Sequence, residues 1–425
     1  MVIVSYLLAG LIVLVRVYVP ISMTFMGGWP MRLLLFALWC VAILGVRNGN
    51  LGAFVRELRS RWLELLCYAA WMAVLLVFWT SQDGDHILTS YLVNAYIGTI
   101  PFYFLGTYYS IDEGKGRLMA LAIALVVGAS CALAIPAVWS DPTLVREGGI
   151  EAAADIRSKG IGGYADLTGF AIVLPFLLTV SLQSKNIFRI AGLASCIATA
   201  ALLMIATLSG TILLTGMAAA GCLIYYMMLG GFRWRRMIWA PTAVVLLVLT
   251  AMYVFPSVYE RASIGKFYDK LANTFASLSG IISGESRDPT QRYALMLNSL
   301  DVFLDNPVIG ASMGIKGDTA GTGGHSSWMD ALANYGLFGG IPYLLFHGLI
   351  FYRLWKTWRS DRRNALHWGC LLSCALYLFY GLFNVTTQGT TVALFMYVTA
   401  AGGKRPQVPV VVRRPPVAVP PKEKR

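Results

Sequence analysis

Residues 118–139 read LMALAIALVVGASCALAIPAVW, a run with no charged residue and a single proline. An uncharged apolar stretch of that length matches the ~30 Å hydrocarbon core of a bilayer, which an α-helix crosses in about 20 residues. A surface helix of a soluble protein would carry a charged or polar face opposite its apolar stripe, and none is present here. Comparable stretches recur at 2–19, 31–46, 62–79, 87–109, 164–183, 188–208, 210–229, 237–255, 335–352, 364–381 and 383–401, which makes about twelve candidate spans by length and hydropathy. Composition agrees: 57% of residues are hydrophobic and 13% charged, against about 25% charged in soluble domains. These figures exclude a soluble enzyme, a nucleic-acid-binding protein and a disordered scaffold. The expected fold class is an all-α polytopic membrane protein.

The net charge of +13 is therefore read as topology. Arg47, Arg56, Arg59 and Arg61, then Arg233, Arg235 and Arg236, then Arg353, Lys356, Arg359, Arg362 and Arg363 fall in short connections. The long connections 140–163 and 256–324 hold few cations for their length. Short basic loops stay in the cytoplasm, so both termini are expected to be cytoplasmic and both long loops outside. The first apolar stretch has neither a basic flank nor an A-x-A-like cleavage site and is expected to remain as a helix. The chain divides into helices one to nine (1–255, with the outer loop 140–163), a large outer loop (256–334), helices ten to twelve (335–401) and a basic, Pro-rich tail (402–425) suited to the anionic cytoplasmic leaflet. Cys40, Cys67, Cys131, Cys196, Cys222, Cys370 and Cys374 all lie in apolar stretches, where they read as packing residues and not as a disulfide framework.

The large outer loop carries the chemistry-bearing residues. Asp288–Pro289 fits a helix start, Tyr293, Leu297, Leu300 and Leu304 follow at helical spacing, and Asn306–Pro307 stops the helix. An amphipathic helix lying on the spans or on the membrane surface is expected. Six glycines between 310 and 324 precede His325-Ser326, and Gly336-Leu337-Phe338-Gly339 follows at the outer mouth of helix ten.

Arg292, then Asn306-Pro307-Val308-Ile309-Gly310, then His325-Ser326, then Gly336-Leu337-Phe338-Gly339 stand in an order that resembles the large outer loop of the bacterial O-antigen ligase and O-antigen polymerase family. The close likeness covers residues 285–345, and the span pattern extends it over the chain. The resemblance implies a type C glycosyltransferase-like fold and an active site at the outer face of the bacterial inner membrane. It implies an undecaprenyl-diphosphate-linked glycan as donor, and a second lipid-linked glycan or lipid A-core as acceptor. It implies no metal and no other cofactor. The implied surroundings are membrane lipids and a chain-length-regulating partner, with no nucleic acid.

The residues can serve that chemistry. A departing diphosphate needs fixed cations, and arginine pairs with phosphate in a bidentate manner and stays charged. A histidine can take or orient the proton of an attacking sugar hydroxyl. His325, the sole histidine of the large loop, is the candidate for that role, with Arg292 and Arg157 as diphosphate-binding or charge-stabilising groups. Arg157, in Arg157-Ser158-Lys159-Gly160, resembles an Arg-x-x-Gly element in the family's smaller outer loop. Lys159 and Arg287 are further cations for the donor, and Trp328 could stack on a sugar ring or anchor at the interface. Taken singly, each cation could be a solvated or lipid-contacting charge and His325 a helix-cap residue.

One departure stands out. Where many members carry Ser-Arg between spans seven and eight, this chain reads Thr207-Leu208-Ser209-Gly210-Thr211, without the arginine, which favours polymerase slightly over ligase. Asp83-Gly84-Asp85-His86 could hold a divalent ion, but a polar turn accounts for it, and no metal is assigned. Arg16, near the outer end of the first span, is expected to snorkel or to face a cavity. A transporter, the competing class, would carry its charges or broken helices near mid-membrane.

Overall fold

The computed structural model describes residues 1–18, 29–46, 51–81, 93, 95–140, 144–145, 161–206, 209–229, 292–311, 326–387 and 389–402. Among these are thirteen α-helices and no strand. They are α1 (Val2–Val17), α2 (Trp29–Leu44), α3 (Leu51–Ser60), α4 (Trp62–Ser81), α5 (Ile100–Ser110), α6 (Glu113–Ser140), α7 (Tyr164–Gln183), α8 (Asn186–Ile205), α9 (Ser209–Leu229), α10 (Arg292–Asp305), α11 (Ser327–Ser360), α12 (Ala365–Phe383) and α13 (Gly389–Ala401).

Five of them are long and apolar enough to cross a membrane, or six if α3 and α4, bent by 71° at Arg61, form one span. Four shorter apolar helices join them. The chain is thus a helical, multi-pass membrane protein. The expectation of about twelve spans is met only in this coarser form. The apolar stretch 237–255 lies outside the described residues, and α1, α2 and α13 stop short of a full crossing. Two boundaries also differ from expectation. Residues 384–387, read as part of a span 383–401, form a non-helical corner between α12 and α13. The span expected at 335–352 belongs to a longer helix, α11, broken at Gly336.

α7 lies at the centre, against α6, α8, α9, α12 and α13. α13 is buried along nearly its whole length between α5 and α7. A helix buried on every side needs small residues where backbones approach. Gly106 of α5 supplies one: a Cβ there would lie 2.5 Å from the Tyr397 carbonyl oxygen of α13. All seven cysteines are free.

The bundle has two unlike ends. The basic end gathers Arg61, Arg353, Lys356 and Arg359. The far end gathers the start of α7, the end of α12, the start of α11 and the start of α13. α10 packs on the first turns of α11 at that far end.

Candidate functional site

At the far end the two glycine motifs form one unit. α11 starts on Ser326, whose side-chain oxygen accepts the Met329 N–H at 3.4 Å, an N-cap that satisfies one of the first-turn donors. Ten residues after Ser326 the helix breaks at Gly336 (φ 57°, ψ −160°). The break frees two N–H groups, and the turn after α10 takes both: Leu337 N–H donates to the Pro307 carbonyl at 2.8 Å, and Phe338 N–H to the Val308 carbonyl at 3.1 Å. Both Gly310 and Gly336 have positive φ, a region open mainly to glycine. A Cβ on Gly310 would lie 2.3 Å from the Asn334 carbonyl oxygen, and one on Gly336 would lie 2.4 Å from that of Val308. The Asn-Pro-x-x-Gly and Gly-x-x-Gly sequences are therefore the two halves of a backbone joint.

A side-chain contact reinforces that joint. The Asp330 carboxylate accepts the Ser299 hydroxyl at 2.7 Å and the Ser326 N–H at 3.1 Å. It thereby fastens α10 to α11 and places negative charge at the positive end of the α11 dipole.

A second, neutral network ties in α7 and α12. The Asn384 amide donates to the Tyr164 hydroxyl at 2.7 Å and to the Tyr380 hydroxyl at 2.6 Å, and the two tyrosine hydroxyls also touch each other. The Asn384 carbonyl accepts the Ser327 hydroxyl at 3.1 Å. The Ser327 hydroxyl in turn receives the Thr386 N–H at 2.7 Å. α7 itself begins at Gly163, whose N–H donates to the Asp166 carboxylate at 3.1 Å. Asn384 thus holds the first turn of α7 with its side chain and the first turn of α11 with its carbonyl.

Described residues of that corner follow the expected site residues closely in the chain. His325 directly precedes Ser326, and the Arg157–Gly160 element is followed by Gly163 and Tyr164. His325, Arg157, Lys159 and Arg287 themselves lie outside the described residues, as do Asp83–His86 and the start expected for the helix at Asp288–Pro289. Arg292 opens α10, its side chain outside the described set. Ser209 and Gly210 of the departing motif open α9.

Trp328 is placed in the interior. Its ring is 8% exposed, its N–H donates to the Leu378 carbonyl at 3.0 Å, and it packs on Tyr343, His347 and Tyr377. In this arrangement it is a packing residue between α11 and α12. The Arg16 guanidinium packs directly on Gly389 at the start of α13.

Sequence reasoning missed Asn384, Tyr164 and Tyr380, which are scattered over two spans and a corner read as helix. It also missed the polar core of the basic end. There the Arg353 guanidinium pairs with both Glu64 oxygens at 2.6 and 3.2 Å, and the Tyr103 hydroxyl donates to Glu64 at 2.8 Å. Arg61, read as a loop cation that sets topology, is buried. It binds Glu57 at 2.6 Å and donates to the Ala400 carbonyl at 3.0 Å. A glutamate in the first turn of an otherwise apolar stretch was the available signal for Glu64. Among the described residues no group of three or more His, Cys, Asp or Glu side chains is arranged to hold a metal.

No protein-family model matches the chain, and no curated protein matches it significantly. Sequence and structure together identify it as a helical membrane protein with several candidate spans.

Proposed function

We propose that the chain is an integral-membrane glycosyltransferase of the O-antigen polymerase and ligase type, working at the outer face of a bacterial inner membrane. In this reading it moves a glycan from undecaprenyl diphosphate to a sugar hydroxyl of a second lipid-linked molecule. The far end is the outer face, the termini are cytoplasmic, and the described helices belong to a type C glycosyltransferase-like fold with about twelve spans.

One observation carries the reading. Tyr164, a few residues after Arg157 in the chain, and Ser327, two after His325, meet at a corner organised by Asn384, and α10, which begins with Arg292, is fastened to the same helix start by Asp330. The starts of α7 and α11, and α10, thereby meet at one end of the bundle. Among the described residues the network around Asn384 is built of neutral hydroxyls and an amide, with the Arg16 guanidinium on nearby Gly389, and the further cations that a diphosphate needs would come from the adjoining loops.

The chemistry follows from those residue types. Arg157 and Arg292, with Lys159 and Arg287, would bind the donor diphosphate and stabilise the charge it gains as the bond from the anomeric carbon to the phosphate oxygen breaks. His325 would orient the acceptor hydroxyl and take its proton as the new glycosidic bond forms. The missing arginine at Ser209–Gly210 inclines the reading to a polymerase.

The test is a cell-envelope glycan profile, resolved by chain length, in a strain lacking the gene. Glycans halted at one repeat unit would identify a polymerase. Long chains held on polyprenyl diphosphate beside a bare lipid A-core would identify a ligase. An unchanged profile would remove the proposal and return the chain to the transporter class, where the buried Glu64–Arg353 pair would be the first group to probe. In complementation, His325→Ala is expected to insert at wild-type level and to lose about 10²–10⁴-fold in transfer.

A further inference from the structure

Residues 292–311 read in sequence as part of the large outer loop, with a helix lying on the spans or on the membrane surface, and no candidate span includes them. Their exposed residues include three large apolar ones at the end of α10 and in the turn after it: Leu304, Val308 and Ile309 are 63%, 53% and 47% exposed. The neighbouring helix tells what medium they meet. α11 is long and apolar enough to cross a membrane and carries one exposed stripe, Phe338, Ile341, Leu345, Tyr352 and Trp355, at helical spacing. The stripe runs into exposed Lys356 and Arg359 at the basic end. Counting back from Lys356, about 20 residues at 1.5 Å each cover the ~30 Å hydrocarbon core and arrive at Gly336. Phe338, 66% exposed, therefore stands just inside the far boundary of the hydrocarbon, facing lipid.

The turn is bound to that point by its backbone. Phe338 N–H donates to the Val308 carbonyl and Leu337 N–H to the Pro307 carbonyl, so Val308 and Pro307 share the depth of Phe338. Part of the turn's backbone is satisfied within the fold: Pro307 has no N–H to satisfy, both of these carbonyls are taken, and Gly310 N–H donates to the Asn306 carbonyl at 3.0 Å. A backbone that cannot satisfy its polar groups would be excluded from lipid. Asp301, Asp305 and Asn306 are exposed as well and suit the headgroup side of an interfacial segment.

We infer that the 304–309 turn is a membrane anchor. Leu304, Val308 and Ile309 insert among the acyl chains of the leaflet at the end of α11 opposite its basic end, and α10 lies in the plane of that interface. The partner is the phospholipid bilayer itself, and the inference stands whether or not the proposed activity does.

The test uses the full chain in nanodiscs of phosphatidylethanolamine and phosphatidylglycerol, with single added cysteines and a charged, membrane-impermeant maleimide, the unaltered chain supplying the background of the seven native thiols. Ile309→Cys is expected to label about tenfold or more slowly than Asp301→Cys on α10, and close to the rate of Leu345→Cys on the lipid-facing stripe, because access controls the rate. Labelling of Ile309→Cys as fast as Asp301→Cys would overturn the anchor. Slow labelling has a second reading, cover by protein, so benzoylphenylalanine is placed at position 309 in the same nanodiscs. A phospholipid adduct on illumination supports the anchor; a crosslink within the chain, or no lipid adduct, overturns it.

Discussion

The two ends of the bundle are held by different physics. At the basic end, full charges are buried and paired: Glu64 with Arg353, backed by Tyr103, and Arg61 with Glu57, backed by Thr107 and the Ala400 carbonyl. Taking charges out of water is expensive unless each is paired and hydrogen-bonded, so such a network has one good geometry and resists displacement. At the far end the joining groups are mostly neutral: Asn384, Tyr164, Tyr380, Ser327 and Thr386, together with a backbone joint between the 306–310 turn and the Gly336 break. Each neutral hydrogen bond contributes only about 0.5–1.5 kcal/mol net. The contrast places the rigid clamp away from the long loops, and the more adjustable end beside them.

Substitutions can break or sharpen this contrast. Glu64→Ala strands the Arg353 guanidinium in the interior and is expected to cost about 3–5 kcal/mol, read as a large fall in the thermal unfolding midpoint of the detergent-solubilised chain. Adding Arg353→Met should recover most of the loss; an additive double-mutant cycle would show that the pair is not the clamp. Gly336→Ala is next. It adds a Cβ 2.4 Å from the Val308 oxygen at a positive φ, near the upper end of the about 1–3 kcal/mol that such strain costs. Hydrogen exchange should quicken in 292–311 and leave α7 and α13 unchanged; uniform quickening would mean that the joint is not a separate element.

Asn384→Ala removes the donor shared by the two tyrosines and is expected to cost about 1–2 kcal/mol, since water can reach half-buried Tyr164. Under the proposed function its transfer activity should also fall, with Asn384→Asp a poorer replacement because it loses the amide donors. Arg117→Ala gives the smallest effect. Its pairing with Glu113 at 2.7 Å is a half-exposed i,i+4 contact, which contributes about 0.3–0.5 kcal/mol. A loss comparable to that of Glu64→Ala would undo the claim that burial, not charge, makes the clamp.

The parts of the molecule legible in advance are those governed by local pattern. Apolar runs such as 118–139 and 164–183 became α6 and α7 because a predominantly apolar segment in lipid satisfies its backbone within a helix. The stop at Asn306–Pro307 was readable because proline cannot continue a helix with an N–H donor. The glycines at 310 and 336 were recognisable as special positions. Their mutual contact was not, since nothing in residue spacing says that one turn will dock on the break of a later helix. Residues 384–387 were hidden by their surroundings: Thr-rich and uncharged, they continue the hydropathy of the spans on either side, and their corner exists only because Asn384 and Thr386 find partners on α7 and α11.

Helical character, multi-pass membrane class and the candidate importance of the 285–345 region follow from composition, hydropathy and motif order alone, because each depends on residues that are neighbours in the chain. Which charges are buried, which end is clamped, and which loops share a corner depend on pairs separated by tens to hundreds of residues, Glu64 with Arg353 and Tyr164 with Asn384 among them. Those pairings are decided by how the helices pack, where desolvation makes every buried polar group find a partner.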